Sequence, residues 1–238
     1  MLDPILLFER SGVVALCKPA GLATQGPPGC ESAESWLRRR LHGGEATGYV
    51  GVPHRLDRAV SGVLLLAATP RAARKLSRQF ERREVAKEYL AVVEPRTAEP
   101  LATGTVEWRD LLEKVPEQAR ARIVAEPTAA AREAVTRALV VGPLPTGGGR
   151  RRLLLRLEPV TGRMHQLRLQ AASRGLPIVG DLLYDEGADP LWAGTQPAAA
   201  REPPIGLHAV RICYRDPDDG GEMVAEAPPP AYWPAADG

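Results

Sequence analysis

Cysteine, aromatic side chains and long apolar runs are all scarce in this chain of 238 residues. The three cysteines, Cys17, Cys30 and Cys213, lie far apart with no metal-ligand spacing. Such an odd, scattered set excludes a disulfide framework and a zinc site, and suits a reducing cytoplasm. No stretch reaches the ~18 uninterrupted apolar residues of a membrane helix. The longest run, Val63 to Thr69, has the length of a strand. Met1 to Glu9 is acidic and lacks the apolar segment of a secretory signal. A Rossmann glycine fingerprint, a P-loop and a metal-ligand cluster are all missing, so no cofactor and no metal is expected.

What is present is a globular composition, with 44% hydrophobic and 25% charged residues. That suffices for one sizeable core or two subdomains sharing one. The net charge is only +2, but its distribution is uneven. Between Arg71 and Glu88, seven Lys/Arg face three Glu, and between Arg150 and Arg174 seven Arg face Glu158 alone. From Asp216 to Gly238 there are six acids and no base. Basic stretches beside an acidic tail fit a polyanion-binding surface, although a solvated helix face has the same composition.

Local patterns supply the elements. Val13 to Lys18 and Val63 to Ala68 read as strands. Ser32 caps a helix running to Leu41, and Thr69-Pro70 opens another that runs to about Glu81. Val85 to Val93, Gly104 to Trp108, Ala134 to Val141, Leu153 to Pro159 and Leu207 to Arg215 are further strands. Arg163 to Ser173 has helical spacing and stops before Gly175. Pro143 to Arg150 reads as a Gly-rich turn or mobile loop. Strands bracketing a few helices predict an α+β fold with a mixed, mainly antiparallel sheet. The expected division is one folded domain over 1–215 and an acidic, Pro-rich tail over 216–238.

Three segments carry chemistry. In His54-Arg55-Leu56-Asp57-Arg58, followed by Val60-Ser61-Gly62 and an aliphatic run, a carboxylate stands in a polar loop before a rigid strand. Flanking arginines favour its ionised form, which suits a nucleophile or base. A structural ion pair would use the same residues. In Lys87-Glu88-Tyr89-Leu90-Ala91, strand alternation places Tyr89 on the face of Lys87. Such a tyrosine serves a core, or stacks on a base. In Gly162-Arg163-Met164-His165-Gln166-Leu167-Arg168, helical geometry separates Arg163 from Arg168. One arginine can then enter a cleft while the other meets solvent or phosphate.

In this order the segments resemble the RluA family of RNA pseudouridine synthases. The family pattern continues in Gly175-Leu176-Pro177-Ile178-Val179-Gly180-Asp181-Leu182-Leu183-Tyr184 and Leu207-His208-Ala209. Its opening is matched by Lys18, Pro19, Gly21 and Leu22, and its A-x-T strand by Ala134 to Thr136. The likeness spans roughly residues 10 to 215. Val60 and Met164 stand where the family has threonine, Gln170 where Val-His is common, and Asp185 where glycine follows the tyrosine.

The resemblance implies a bent sheet in two subdomains flanked by helices, with a central basic cleft. It implies Asp57 as catalytic aspartate, Tyr89 as the aromatic against the target base, and Arg168 as the arginine paired with that aspartate. Arg55 would contact RNA near the extruded nucleotide, with Arg58, Lys87 and Arg163 on the RNA side. His54 and Leu56 would shape the loop, Leu167 would pack beneath the base, and His208 would be structural. The implied partner is rRNA or tRNA, for a cytoplasmic monomer with no S4 domain ahead of it and no membrane contact. The alternative is a non-catalytic RNA-binding or ribosome-assembly protein on the same scaffold. A hydrolase using Asp57 and His54 is a third reading, without a G-x-S-x-G elbow to support it.

Overall fold

A computed structural model of the chain describes residues 3–44, 48–96, 104–145, 151–185, 187, 203–230 and 233. The chain divides into two compact units. One is Met1–Lys87 with Pro197–Pro204 and His208–Pro230, and the other is Glu88–Gln196 with Ile205–Leu207 and Ala231–Gly238.

The first unit opens with β1 (Ile5–Arg10) and β2 (Val13–Lys18), an antiparallel pair turned at Ser11-Gly12. α1 (Ala33–Leu41) follows, with Ser32 and Ser35 forming a reciprocal capping box. β3 (Ser61–Ala67) is buried along its whole length and pairs antiparallel with β2. α2 (Pro70–Glu81) starts at Thr69, whose hydroxyl accepts from the Ala72 N–H. Its inner face is Ala72, Leu76 and Gln79.

The second unit is an antiparallel sheet of β4 (Ala86–Val93), β5 (Thr105–Lys114), β6 (Ala121–Val124), β7 (Arg132–Leu144) and β8 (Arg152–Pro159). Its order is β4-β8-β7-β5-β6. α3 (Gln166–Ala172) is shorter than its periodicity predicts. The Gln166 side chain accepts from the Arg163 N–H at 3.0 Å and from the Thr161 hydroxyl at 2.7 Å. These bonds hold 161–165 as a turn, and His165 is left-handed at φ 51°.

The chain then returns to the first unit. β9 (Leu207–Arg215) runs parallel to β3, and β10 (Glu222–Glu226) pairs antiparallel with β9. The sheet pairings are therefore mixed and mainly antiparallel, and the fold is α+β. Gly62 stands at the β3–β9 contact with φ +116°, where an added Cβ would lie 2.2 Å from the Ala209 carbonyl oxygen. Only glycine fits there. Val13, Val63, Leu65, Leu76, Ile212 and Ala225 belong to this unit's core.

Three strands were not expected. β1 and β6 are short and partly exposed, so neither shows a clear period. β10 corrects the reading of 216–238 as a tail. Its acids Glu222 and Glu226 are exposed while Ala225 between them is buried in the core. Composition hid that alternation. Of the expected Gly-rich turn, residues 146–150 lie outside the described residues.

Candidate active site

Asp57 is half-buried in the loop before β3, and main-chain bonds fasten the loop on both sides of it. On one side, the buried Thr24 hydroxyl donates to the Leu56 carbonyl at 2.8 Å and accepts from the Leu56 N–H at 3.1 Å. On the other, the Arg58 carbonyl accepts from Gly21 N–H at 2.7 Å. Lys18, 0% exposed, donates from Nζ to the carbonyls of Leu22 at 2.8 Å, Pro19 at 3.0 Å and Arg58 at 3.4 Å. Val60 N–H closes a turn onto the Asp57 carbonyl at 3.1 Å. The stretch from Lys18 to Thr24 is thus the mould of the aspartate loop. Leu56 points into the core, Arg55 is exposed and Arg58 is half-buried.

His54 anchors the start of this loop. Its Nε2 accepts from the Leu65 N–H at 2.9 Å, and its ring stacks on Phe80 of α2 at 4.6 Å. Burial first, and then the charge of Lys87, bring its pKa from 6.5 down to about 3. The imidazole is therefore neutral at physiological pH and braces the loop instead of gripping phosphate. Burial also lowers the pKa of Lys87. His208 has a structural place. Its Nε2 donates to the Ala227 carbonyl at 3.0 Å, so Nδ1 accepts from the Ser61 hydroxyl at 2.8 Å.

In the second unit, Tyr89 is buried on β4 opposite Leu157, and Leu167 is buried on α3. Arg168, 5% exposed, grips Asp181 with two parallel bonds, Nε to Oδ2 and Nη2 to Oδ1, each 2.7 Å. Its guanidinium carbon lies 5.5 Å from the centre of the Tyr184 ring. Tyr184 is itself held, since its hydroxyl accepts from the Ala121 N–H and meets His165 Nδ1, both at 2.9 Å. Asp181 and Tyr184 were visible only as letters of a motif, and no local signal names Asp181 as partner of Arg168. Arg163 donates from Nε to the Glu133 carbonyl at 2.9 Å.

The Asp57 loop, Tyr89 on its strand and Arg168 on its helix all fall within one family signature. A family model described as RNA pseudouridylate synthase matches residues 12–173. The chain belongs to the RluA family of RNA pseudouridine synthases. It is 30% identical to the dual-specificity RNA pseudouridine synthase RluA of Haemophilus influenzae, over 95% of this chain and 94% of that one. It is 32% identical to the ribosomal large subunit pseudouridine synthase C of Rickettsia conorii, over 96% of this chain and 69% of that one. Human RNA pseudouridylate synthase domain containing 1 has the same fold, with a TM-score of 0.71 and 23% identity over 95% of this chain and 84% of that one. The enzyme is accordingly an isomerase that converts uridine in RNA to pseudouridine.

The departures from the family pattern fall on positions this synthase accommodates. Val60 is buried, with a methyl where the family's threonine has a hydroxyl. Met164 is 37% exposed, outside the network that Thr161 and Gln166 build. Gln170 is buried and satisfied, accepting from the Thr136 hydroxyl and donating to Asp110, both at 2.7 Å. Asp185 pairs with Arg96.

The neutral His54 makes the synthase acid-sensitive. Its folded pKa lies below its unfolded one, so between about 3 and 6.5 the unfolded chain binds more protons. Stability is full above that window and falls as pH drops through it. Urea midpoints should decline from pH 7 to pH 4, and His54→Gln should flatten the decline. His208, also lowered by burial, leaves a residual slope of the same sign. An identical slope in wild type and variant would show that His54 is not responsible.

Proposed function

We propose that this synthase flips a uridine out of structured tRNA or rRNA and isomerises it with Asp57, Tyr89 and Arg168. The observation that carries this reading is the Asp57 loop, whose aspartate sits in the family's motif with its backbone pinned on both sides. Relatives named as a dual-specificity synthase, a tRNA synthase and a ribosomal large subunit synthase support the substrate class.

The reaction breaks the N1–C1′ bond, with the electron pair passing to N1. The uracil turns, C5 bonds to C1′, the C5 proton leaves and N1 gains one. A base inside a duplex is out of reach, so flipping precedes chemistry. An ionised carboxylate at the ribose serves either route, by bonding to C1′ or by taking the C2′ proton. In this proposal Arg168 orients the carboxylate and Tyr89 stacks on the uracil beside Leu167. Arg55 and Arg58 hold the nearby backbone, and Lys87 adds positive charge. The enzyme works in the cytoplasm, a reading its three thiols support.

The test is tritium release from RNA carrying 5-tritiated uridine, with bulk tRNA and with rRNA. Release from one names the substrate class, because only carbon–carbon bond formation at C5 expels that proton. Tight binding to either RNA with no release from both would overturn the reaction and favour a binding protein.

A further inference from the structure

The sequence holds two basic stretches, and the structure treats them differently. In the second, Arg152, Arg156, Arg163, Arg168 and Arg174 are engaged. Arg156 pairs with Glu88 at 3.0 Å, Arg174 with Asp110 at 2.9 Å, and Arg152 approaches Glu94 at 3.9 Å. Arg163 and Arg168 are held as described. Of that stretch, Arg151 is exposed and Arg150 lies outside the described residues. Its formal charge is therefore largely consumed inside the second unit.

The first stretch is α2, and its outer face is different. At 100° per residue, Arg71, Arg74, Lys75, Arg78 and Arg82 fall within about 100° of one another, on a side that excludes the buried Ala72, Leu76 and Gln79. Arg71 pairs with Asp218, and Arg82 lies 3.9 Å from Glu84. Arg74, Lys75 and Arg78 are exposed, and no acid or carbonyl among the described residues takes their charged groups. Arg74 and Arg78 stand one turn apart, a like-charge pairing that weakens a helix. The first turn also carries no acid to meet the helix dipole. The surface of α2 thus opposes the helix's own stability, while its inner face is well made. Gln79 exchanges two bonds with the Arg215 backbone, at 2.9 and 2.7 Å, and Phe80 supports His54.

We propose that Arg74, Lys75 and Arg78 form a docking ridge for the phosphate backbone of the substrate RNA, outside the catalytic residues. This rests on RNA being the substrate. An unpaired cation row repeating at about 5.4 Å per turn along a rigid helix offers charge to a polyanion without reading its sequence. Because α2 also braces the Asp57 loop through Phe80 and His54, the ridge and the aspartate belong to the same unit.

The experiment compares Arg74→Gln/Lys75→Gln/Arg78→Gln with a control, Arg109→Gln/Arg122→Gln/Arg211→Gln. Both lose three positive charges, and the control arginines, exposed at 109 and 122 and half-buried at 211, are already paired with acids. Glutamine keeps helix propensity, and circular dichroism verifies α2. Filter binding to bulk tRNA is measured across a salt series. The ridge variant should bind about tenfold or more weakly near 0.15 M salt, and its slope of log affinity against log salt should shrink by about 2 to 3. The control should move less than about twofold. On tRNA or rRNA that releases tritium, the ridge variant should raise KM and leave kcat near wild type. Equal loss in both variants would assign the effect to net charge and overturn the ridge, as would an unchanged slope. Intact tRNA binding with lost binding to phosphatidylserine vesicles would overturn it in favour of a lipid surface. If wild-type enzyme releases no tritium, the proposed reaction fails, while the binding comparison still decides the ridge.

Discussion

Asp57→Asn should abolish tritium release, with kcat falling on the order of 10⁴-fold or more, while RNA binding stays near wild type. Asparagine has the size of aspartate but neither its nucleophilicity nor its basicity. The bonds that shape the loop are made by the main chain of Leu56, Asp57 and Arg58 with Thr24, Lys18, Gly21 and Val60. These survive the substitution, so the melting temperature of the variant should confirm an intact fold. Single-turnover assays at saturating RNA check the chemistry, and filter binding checks the affinity. Residual turnover above about one per cent of wild type would remove Asp57 from the reaction, since no step of either route proceeds without the carboxylate.

Asp181→Asn should be the most damaging substitution for stability. Arg168 and Asp181 have side chains 6% and 1% exposed. The variant takes from Arg168 the carboxylate it grips with two bonds, and breaking a buried pair costs about 3–5 kcal/mol. For a chain of this size that is a fall of roughly 6–20 °C in melting temperature. Exchanging both partners, as in Arg168→Met/Asp181→Leu, removes the buried pair as a whole and should recover most of the stability. It should not recover turnover, because the proposed arginine is gone. Denaturant melts beside tritium release separate the two effects. A loss below about 1 kcal/mol in Asp181→Asn would mean that the guanidinium relaxes to other partners.

Much of the framework was legible in the order of residues. α1 and α2 announce themselves through Ser32 and through Thr69-Pro70, because caps are local chemistry within one turn. β2 and β3 stand out as apolar runs. α3 was overextended because helical spacing cannot register a side chain such as Gln166 that bonds backward and holds the preceding turn open. β10 was concealed by acids and prolines around one buried alanine.

The candidate site was legible in part for the same reason. Asp57, Tyr89 and Arg168 stand out as candidates because each lies in a short motif of the local sequence. The class of reaction was legible in the order of those motifs, which the family match bears out. Asp181 as the grip on Arg168, Lys18 as a bracket of the Asp57 loop and the neutrality of His54 came only from the folded chain. So did the contrast between the engaged arginines of 152–174 and the unpaired ones of α2. Charge pairing and desolvation act over a few ångströms of space, and residues 13 or 40 positions apart meet there only once the chain has folded.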